Sequence, residues 1–178
     1  MKNTGKIFEA QFKASVPDDC LIIRLPDPPQ AFERRKDTQF SHKNPFDYVL
    51  FDTYSRTLWC VECKSTKNKS ITFENIDCEE EQHKMIHKHQ IIGLKEYSMH
   101  EHVCAGFIFN FRHFEEDEEK YFETAYYQDI DDFLGMTRKI NKKSFDEADL
   151  ILHGNAIKIH GMKKRKRWYW DLRSFLRT

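Results

Sequence analysis

Asp47, Glu62 and Lys64 are the residues of this chain whose types and spacing could do chemistry. Asp47 stands in Asn44-Pro45-Phe46-Asp47-Tyr48, and the other two stand in Val61-Glu62-Cys63-Lys64-Ser65. Both segments read as β-strands, because 47–51 and 57–61 are rich in aromatic and β-branched residues. The polar stretch between them is short, so a hairpin is the natural connection. A hairpin centred between Tyr54 and Ser55 pairs position 47 with position 62. Directly opposed residues share one sheet face with Cβ atoms about 5 Å apart. Glu62 and Lys64 share that face too, about 7 Å apart along the strand.

Two opposed carboxylates repel, and burial on one side makes the repulsion worse. Something cationic must sit between them. Lys64 is one candidate and a divalent metal is the other. Mg²⁺ takes one or two protein carboxylates and keeps positions for water and phosphate oxygens. A metal beside a lysine is a phosphodiester hydrolysis site, where the ion polarises the phosphate and lowers the pKa of its water. The plain alternative is a half-buried salt bridge on an ordinary sheet.

The elements that must position these groups fit in a chain of 178 residues, enough for one domain with a real core. Residues 5–15 read as a helix with Ile7, Phe8 and Phe12 on or near one stripe and Glu9 beside it. Leu21–Leu25 reads as a strand. Residues 26–45 hold four prolines and few aliphatics, the mark of an irregular segment. After the hairpin, 71–73 is short and extended. Residues 75–97 read as a helix with Ile86, Gly93 and Tyr97 on one stripe and Gln90 beside it. Val103–Phe111 is a near-continuous apolar strand, as a sheet covered on both faces requires. Phe122–Tyr127 is a further strand, Asp129–Met136 a helix with acids at its start, and Ser144 caps a short helix ending near Leu152. Ile157–Ile159 is extended, and Tyr169–Phe175 closes the chain. Helices around a mixed central sheet make this an α/β protein.

Composition narrows the setting. No apolar run approaches the ~20 residues of a membrane span, and residues 1–6 lead into an amphipathic segment rather than an apolar signal core. Five cysteines, an odd number without a disulfide framework, point the same way, to the cytoplasm. Cys60 and Cys63 form a CxxC, but on a strand they face opposite sides and cannot share a zinc. His83 and His87, four apart, could chelate a metal, but no third ligand is near and a solvated helix face explains them. The 29 basic and 29 acidic residues cancel, yet their distribution is uneven. Lys163-Lys164-Arg165-Lys166-Arg167 is a basic run followed by Trp168-Tyr169-Trp170. Lys64, Lys67 and Lys69 form a second basic group and Arg34-Arg35-Lys36 a third. Acid gathers at 79–81 and 115–119.

In order along the chain, the pieces resemble the RecU-like Holliday junction resolvases, within the PD-(D/E)xK nuclease superfamily. They are Gly5-Lys6-Ile7-Phe8-Glu9, Asn44-Pro45-Phe46-Asp47-Tyr48, Glu62-Cys63-Lys64, Thr66-Lys67-Asn68-Lys69 with Phe73, His89-Gln90-Ile91, and 106–112. The match runs from residue 5 to about 112, with a weaker match at the end.

The resemblance implies a restriction-endonuclease-like fold, a single nuclease domain over 1–178, and a homodimeric, Mg²⁺-dependent endonuclease that cuts four-way DNA junctions at paired positions, with Mn²⁺ as a substitute ion. Asp47 and Glu62 match the metal ligands. Lys64 matches the lysine that positions or activates the attacking water. Glu9 matches an acidic residue that assists at the metal, directly or through water, and Gln90 a polar helix residue near the site. The 26–45 segment falls where family members carry a stalk that enters the junction. Lys67, Lys69, the 163–167 run and Arg34, Arg35 and Lys36 would neutralise DNA phosphates. Arg112, at a strand end, either contacts DNA or pairs with the acidic loop. The alternatives are a nuclease of the same chemistry with a restriction, flap or mismatch substrate, and a non-catalytic DNA-binding module on this fold.

Overall fold

A computed structural model describes residues 4–26, 44–77, 84–115 and 120–177. The expected stalk-like segment with Arg34, Arg35 and Lys36, most of the two acidic runs, and His83 lie outside these residues. Helix α1 (Thr4–Ala14) buries Phe8 and Phe12, four apart and therefore on one face. Strands β1 (Cys20–Arg24), β2 (Tyr48–Asp52), β3 (Thr57–Thr66), β5 (Val103–Glu115), β6 (Lys120–Asp129) and β8 (Ile157–Ile159) form the central sheet in the order β1-β2-β3-β5-β6-β8. The β3–β5 pair is parallel and the other neighbours are antiparallel. A parallel pair needs a crossover, and the chain supplies one through β4 (Ser70–Thr72) and α2 (Lys88–Ser98). The result is an α/β protein with a mixed six-stranded sheet flanked by helices, an architecture compatible with the restriction-endonuclease-like fold.

Two cores sandwich the sheet. Cys60, Phe107, Phe109 and Phe111 pack with Ile91 and Leu94 of α2 and with Phe133 and Met136 of α3 (Ile130–Ile140). On the other face Tyr48, Val61, Cys63 and Ile108 pack with Phe8 and Phe12 of α1 and with Leu172 and Phe175 of α5 (Leu172–Leu176). Covering both faces explains the unbroken apolar run of β5. It also separates Cys60 from Cys63, which sit in different cores, so the CxxC cannot act as a pair.

Two local expectations need correction. The helix expected over 75–97 begins only at Lys88. Ile86 instead forms a parallel bridge with Phe73, with its N–H on Thr72 O and its carbonyl accepting from Glu74 N. Its backbone groups are thus committed to extended structure, and its apolarity marks a buried bridge rather than a helix stripe. Ser144 does not cap a helix. It starts β7 (Ser144–Asp146), which pairs with β4, and Asp146 caps α4 (Glu147–His153) by accepting from Asp149 N at 2.9 Å. The basic run falls on a hairpin of β9 (Gly161–Lys164) and β10 (Arg167–Trp170) turning at Arg165, whose φ is 57°.

Candidate functional site

The hairpin register places position 48 opposite 61 and 52 opposite 57, the same centre between Tyr54 and Ser55 that the spacing predicts. Asp47 therefore falls opposite Glu62. Three bonds pin it at the mouth of β2: its N–H donates to Val61 O at 3.1 Å, its carbonyl accepts from Leu25 N at 2.8 Å, and Oδ2 accepts from Cys63 N at 2.9 Å. Its carboxyl lies close enough to that of Glu62 for each to act on the other's charge.

Glu62 is 4% exposed and lies on the sheet face that α2 covers. Lys64 Nζ is 2.7 Å from Glu62 Oε1, and Gln90 Nε2 donates to the same oxygen at 2.5 Å. Gln90 Oε1 accepts from His87 N at 3.0 Å. One amide thus satisfies a free N–H at the start of α2 and ties that helix to the carboxylate pair. Glu74 secures the same helix start, accepting from Lys88 N at 2.6 Å and meeting His87 Nδ1 at 3.0 Å. His87 therefore sits ahead of the helix on a buried carboxylate, not on a solvated helix face. Gly93 lets α2 approach the strand entry: a Cβ there would collide with Pro45, two residues before Asp47.

Burial governs the electrostatics. It raises Asp47, against the opposing pull of the Cys63 N–H, Lys64 and Arg24. It pushes Glu62 up to about 7, with Lys64 resisting and the Asp47 charge reinforcing the rise. A buried carboxyl facing a half-buried one cannot ionise as cheaply as either alone, which favours a proton on the pair. The site is short of positive charge.

That shortage is the test of fit for a divalent ion. Two hard oxygen donors whose shared proton a cation could replace suit Mg²⁺ or Mn²⁺. Glu9, expected to assist at the metal directly or through water, lies on α1 beside Arg24. Among the described residues no group of three or more His, Cys, Asp or Glu side chains could hold a metal ion. Glu9 Oε2 meets Arg24 Nη2 at 3.2 Å. Arg24, which the sequence reading missed, sits opposite Tyr48 at the end of β1 and acts on both Glu9 and Asp47. Nothing in its spacing marks it, because β1 joins the hairpin only through tertiary pairing.

The DNA-contact candidates divide. Lys67 and Lys69 are exposed in the turn after β3, held by Asn68 N donating to Thr66 Oγ1 at 2.9 Å. The 163–167 run lies on the β9–β10 hairpin, over the α1 face rather than the α2 face. Trp170 packs there edge-on against Phe8, with ring centroids 5.9 Å apart. Lys163 lies over Tyr121 and Lys164 over Tyr169. Arg112 stands opposite Glu123 across β5 and β6; of its two expected partners, DNA and the acidic loop, residues 116–119 of the loop lie outside the described residues.

Fold and site together define an α/β protein whose central hairpin gathers two carboxyls, a lysine and a glutamine at one point. No protein-family model matches the chain. The chain belongs to the family of the SPbeta prophage-derived uncharacterized protein YotM of Bacillus subtilis (strain 168). It is 31% identical to that protein over 183 residues, which span 96% of this chain and 83% of YotM. Among the described residues no helix is long and apolar enough to cross a membrane.

Proposed function

We propose that this protein is a metal-dependent DNA endonuclease of the PD-(D/E)xK type that cuts four-way junctions as a homodimer, as its resemblance to the RecU-like resolvases implies. The observation that carries the reading is the register that sets Asp47 opposite Glu62, with Lys64 Nζ 2.7 Å from Glu62 Oε1. A solvated salt bridge needs one carboxylate per lysine. A second, half-buried carboxyl facing the first costs stability and favours a further cation.

Asp47 and Glu62 would hold Mg²⁺ or Mn²⁺, which when bound supplies Lewis-acid polarisation of the phosphate and a more acidic water. Lys64 contributes a fixed positive charge where the attacking oxygen and the phosphate gather negative charge. Gln90 and Cys63 N–H orient the carboxyls through Glu62 Oε1 and Asp47 Oδ2. The α2 crossover shields the pair from bulk water, which strengthens each of these interactions. Lys67 and Lys69, just past Lys64, extend the positive surface along a phosphate backbone. The product is a strand with a 5′-phosphate and a 3′-hydroxyl, water having added across the phosphodiester.

The test is a synthetic four-way junction and a linear duplex of the same sequence, each incubated with purified protein and Mg²⁺. The junction should be nicked and the duplex spared. Asp47→Ala should bind the junction without cutting it. Equal cutting of both substrates would replace junction selectivity with a restriction, flap or mismatch role, and binding without cutting in either Mg²⁺ or Mn²⁺ would leave a DNA-binding module.

A further inference from the structure

On the α1 side of the sheet lies a second pocket, of about 260 Å³, lined by Gln11, Arg112, Glu123, Lys163, Lys166 and Trp168 among others. It shares no residue with the carboxylate site. Its floor is nevertheless wired to the strand that carries Lys64. Ser65 Oγ donates to Asn110 Oδ1 at 2.7 Å, and Asn110 Nδ2 donates to Glu123 Oε2 at 3.1 Å.

Two features ask for a ligand. Gln11 is 9% exposed, and its Oε1 is buried with no hydrogen-bond partner among the described residues. A buried acceptor left so forfeits its hydration without compensation, a loss that an N–H donor in the pocket would recover once the Gln11 amide turns toward it. The pocket also carries three cationic side chains against the single carboxylate of Glu123. Glu123 is already engaged, standing opposite Arg112 and accepting from Asn110. Lys163 lies over Tyr121 and also acts on Glu123, which leaves Lys166 as the cation most open to an anion.

We propose that this pocket binds a single nucleotide, with its phosphate at Lys163 and Lys166 and an N–H of its base donating to Gln11 Oε1. The volume falls near the small end of the ~300–1,000 Å³ range of ligand pockets, the size for one nucleotide rather than a cofactor of two. Trp168 supplies an aromatic wall beside the base. Every nucleobase carries at least one N–H, so the pocket takes a nucleotide without reading its identity. The hairpin explains the split of the basic run: Lys163 and Lys166 line the pocket, while Lys164 lies over Tyr169. This goes beyond the hydrolytic reading and does not depend on it.

The test is a titration of the full-length protein with AMP at low salt and in a chelator, followed by calorimetry, beside titrations with inorganic phosphate and a short 5′-phosphorylated single strand. AMP should bind saturably. Lys166→Ala, at a surface position whose fold is checked by thermal unfolding, should weaken both AMP and phosphate about tenfold. Gln11→Leu should weaken AMP about tenfold and leave phosphate unmoved, because only the base meets Gln11. Tighter binding of the single strand assigns the nucleotide to a nucleic acid end, and tighter binding of AMP assigns it to a free metabolite. Absence of saturable AMP binding, or AMP binding that ignores both substitutions, overturns the proposal. No cleavage step enters the titration, and Asp47→Ala should bind AMP as wild type does, so failure here and failure of the nuclease reading are separable.

Discussion

Replacing Glu62 by Gln should make the metal-free protein more stable at alkaline pH and flatten its dependence on pH. An exposed glutamate titrates near 4.5, whereas burial and the neighbouring Asp47 carboxyl push Glu62 up to about 7. Between these values the folded protein holds a proton that the unfolded chain has released. Stability therefore falls as pH rises through that window, and below it the group contributes nothing. At about 1.4 kcal/mol per unit, the loss amounts to about 3 kcal/mol by pH ~8. Because Glu62 is 4% exposed, solvent screening does not erase this term. The amide of the Glu62→Gln variant carries no charge at any pH and keeps an acceptor for Lys64 and Gln90. Urea unfolding of both proteins in chelator, at about pH 5 and about pH 8, measures the difference. Wild type should lose about 2–3 kcal/mol more than the variant between the two conditions, part of the loss having occurred by pH ~5. Added Mg²⁺ should restore wild type at the higher pH and leave Glu62→Gln nearly unchanged. Parallel pH profiles for the two proteins would refute the argument, since the carboxyl pair would then carry no buried charge conflict.

Lys64→Gln keeps length and hydrogen bonding but removes the charge, and should lower junction cutting by about 10²–10³-fold with binding within a few-fold of wild type; single-turnover cleavage checks this. Gly93→Ala drives a Cβ into Pro45 and should cost about 1–3 kcal/mol of stability, read as a lower urea midpoint. It should also reduce cutting, because Pro45 leads directly to Asp47. Lys67→Ala with Lys69→Ala should reduce the slope of log binding constant against log salt by about 2, measured by fluorescence anisotropy on a labelled junction.

Period and spacing alone carry the hairpin. Alternation fixes which residues share a face, and the short polar link between 51 and 57 leaves little choice of register, so Asp47, Glu62 and Lys64 were readable as neighbours. The separation of Cys60 from Cys63 follows from the same period of two. Gln90 was legible as a polar position beside the apolar stripe of a helix, but not as the group that bonds Glu62 and the helix start at once. Helix limits were less legible, because local pattern does not reveal which backbone groups a distant strand will claim. Ile86 looks helical until Phe73 takes it into a bridge, and Ser144 looks like a cap until β4 pairs with it. Tertiary structure alone decided the fate of Glu9, since β1 must lie beside β2 before Arg24 can hold it. The pocket at Gln11 likewise joins α1, β5, β6 and the β9–β10 hairpin, parts of the chain too far apart for any spacing to connect. Short-range order is written in side-chain alternation, whereas a charge's partner depends on which long-range surfaces come to rest against each other.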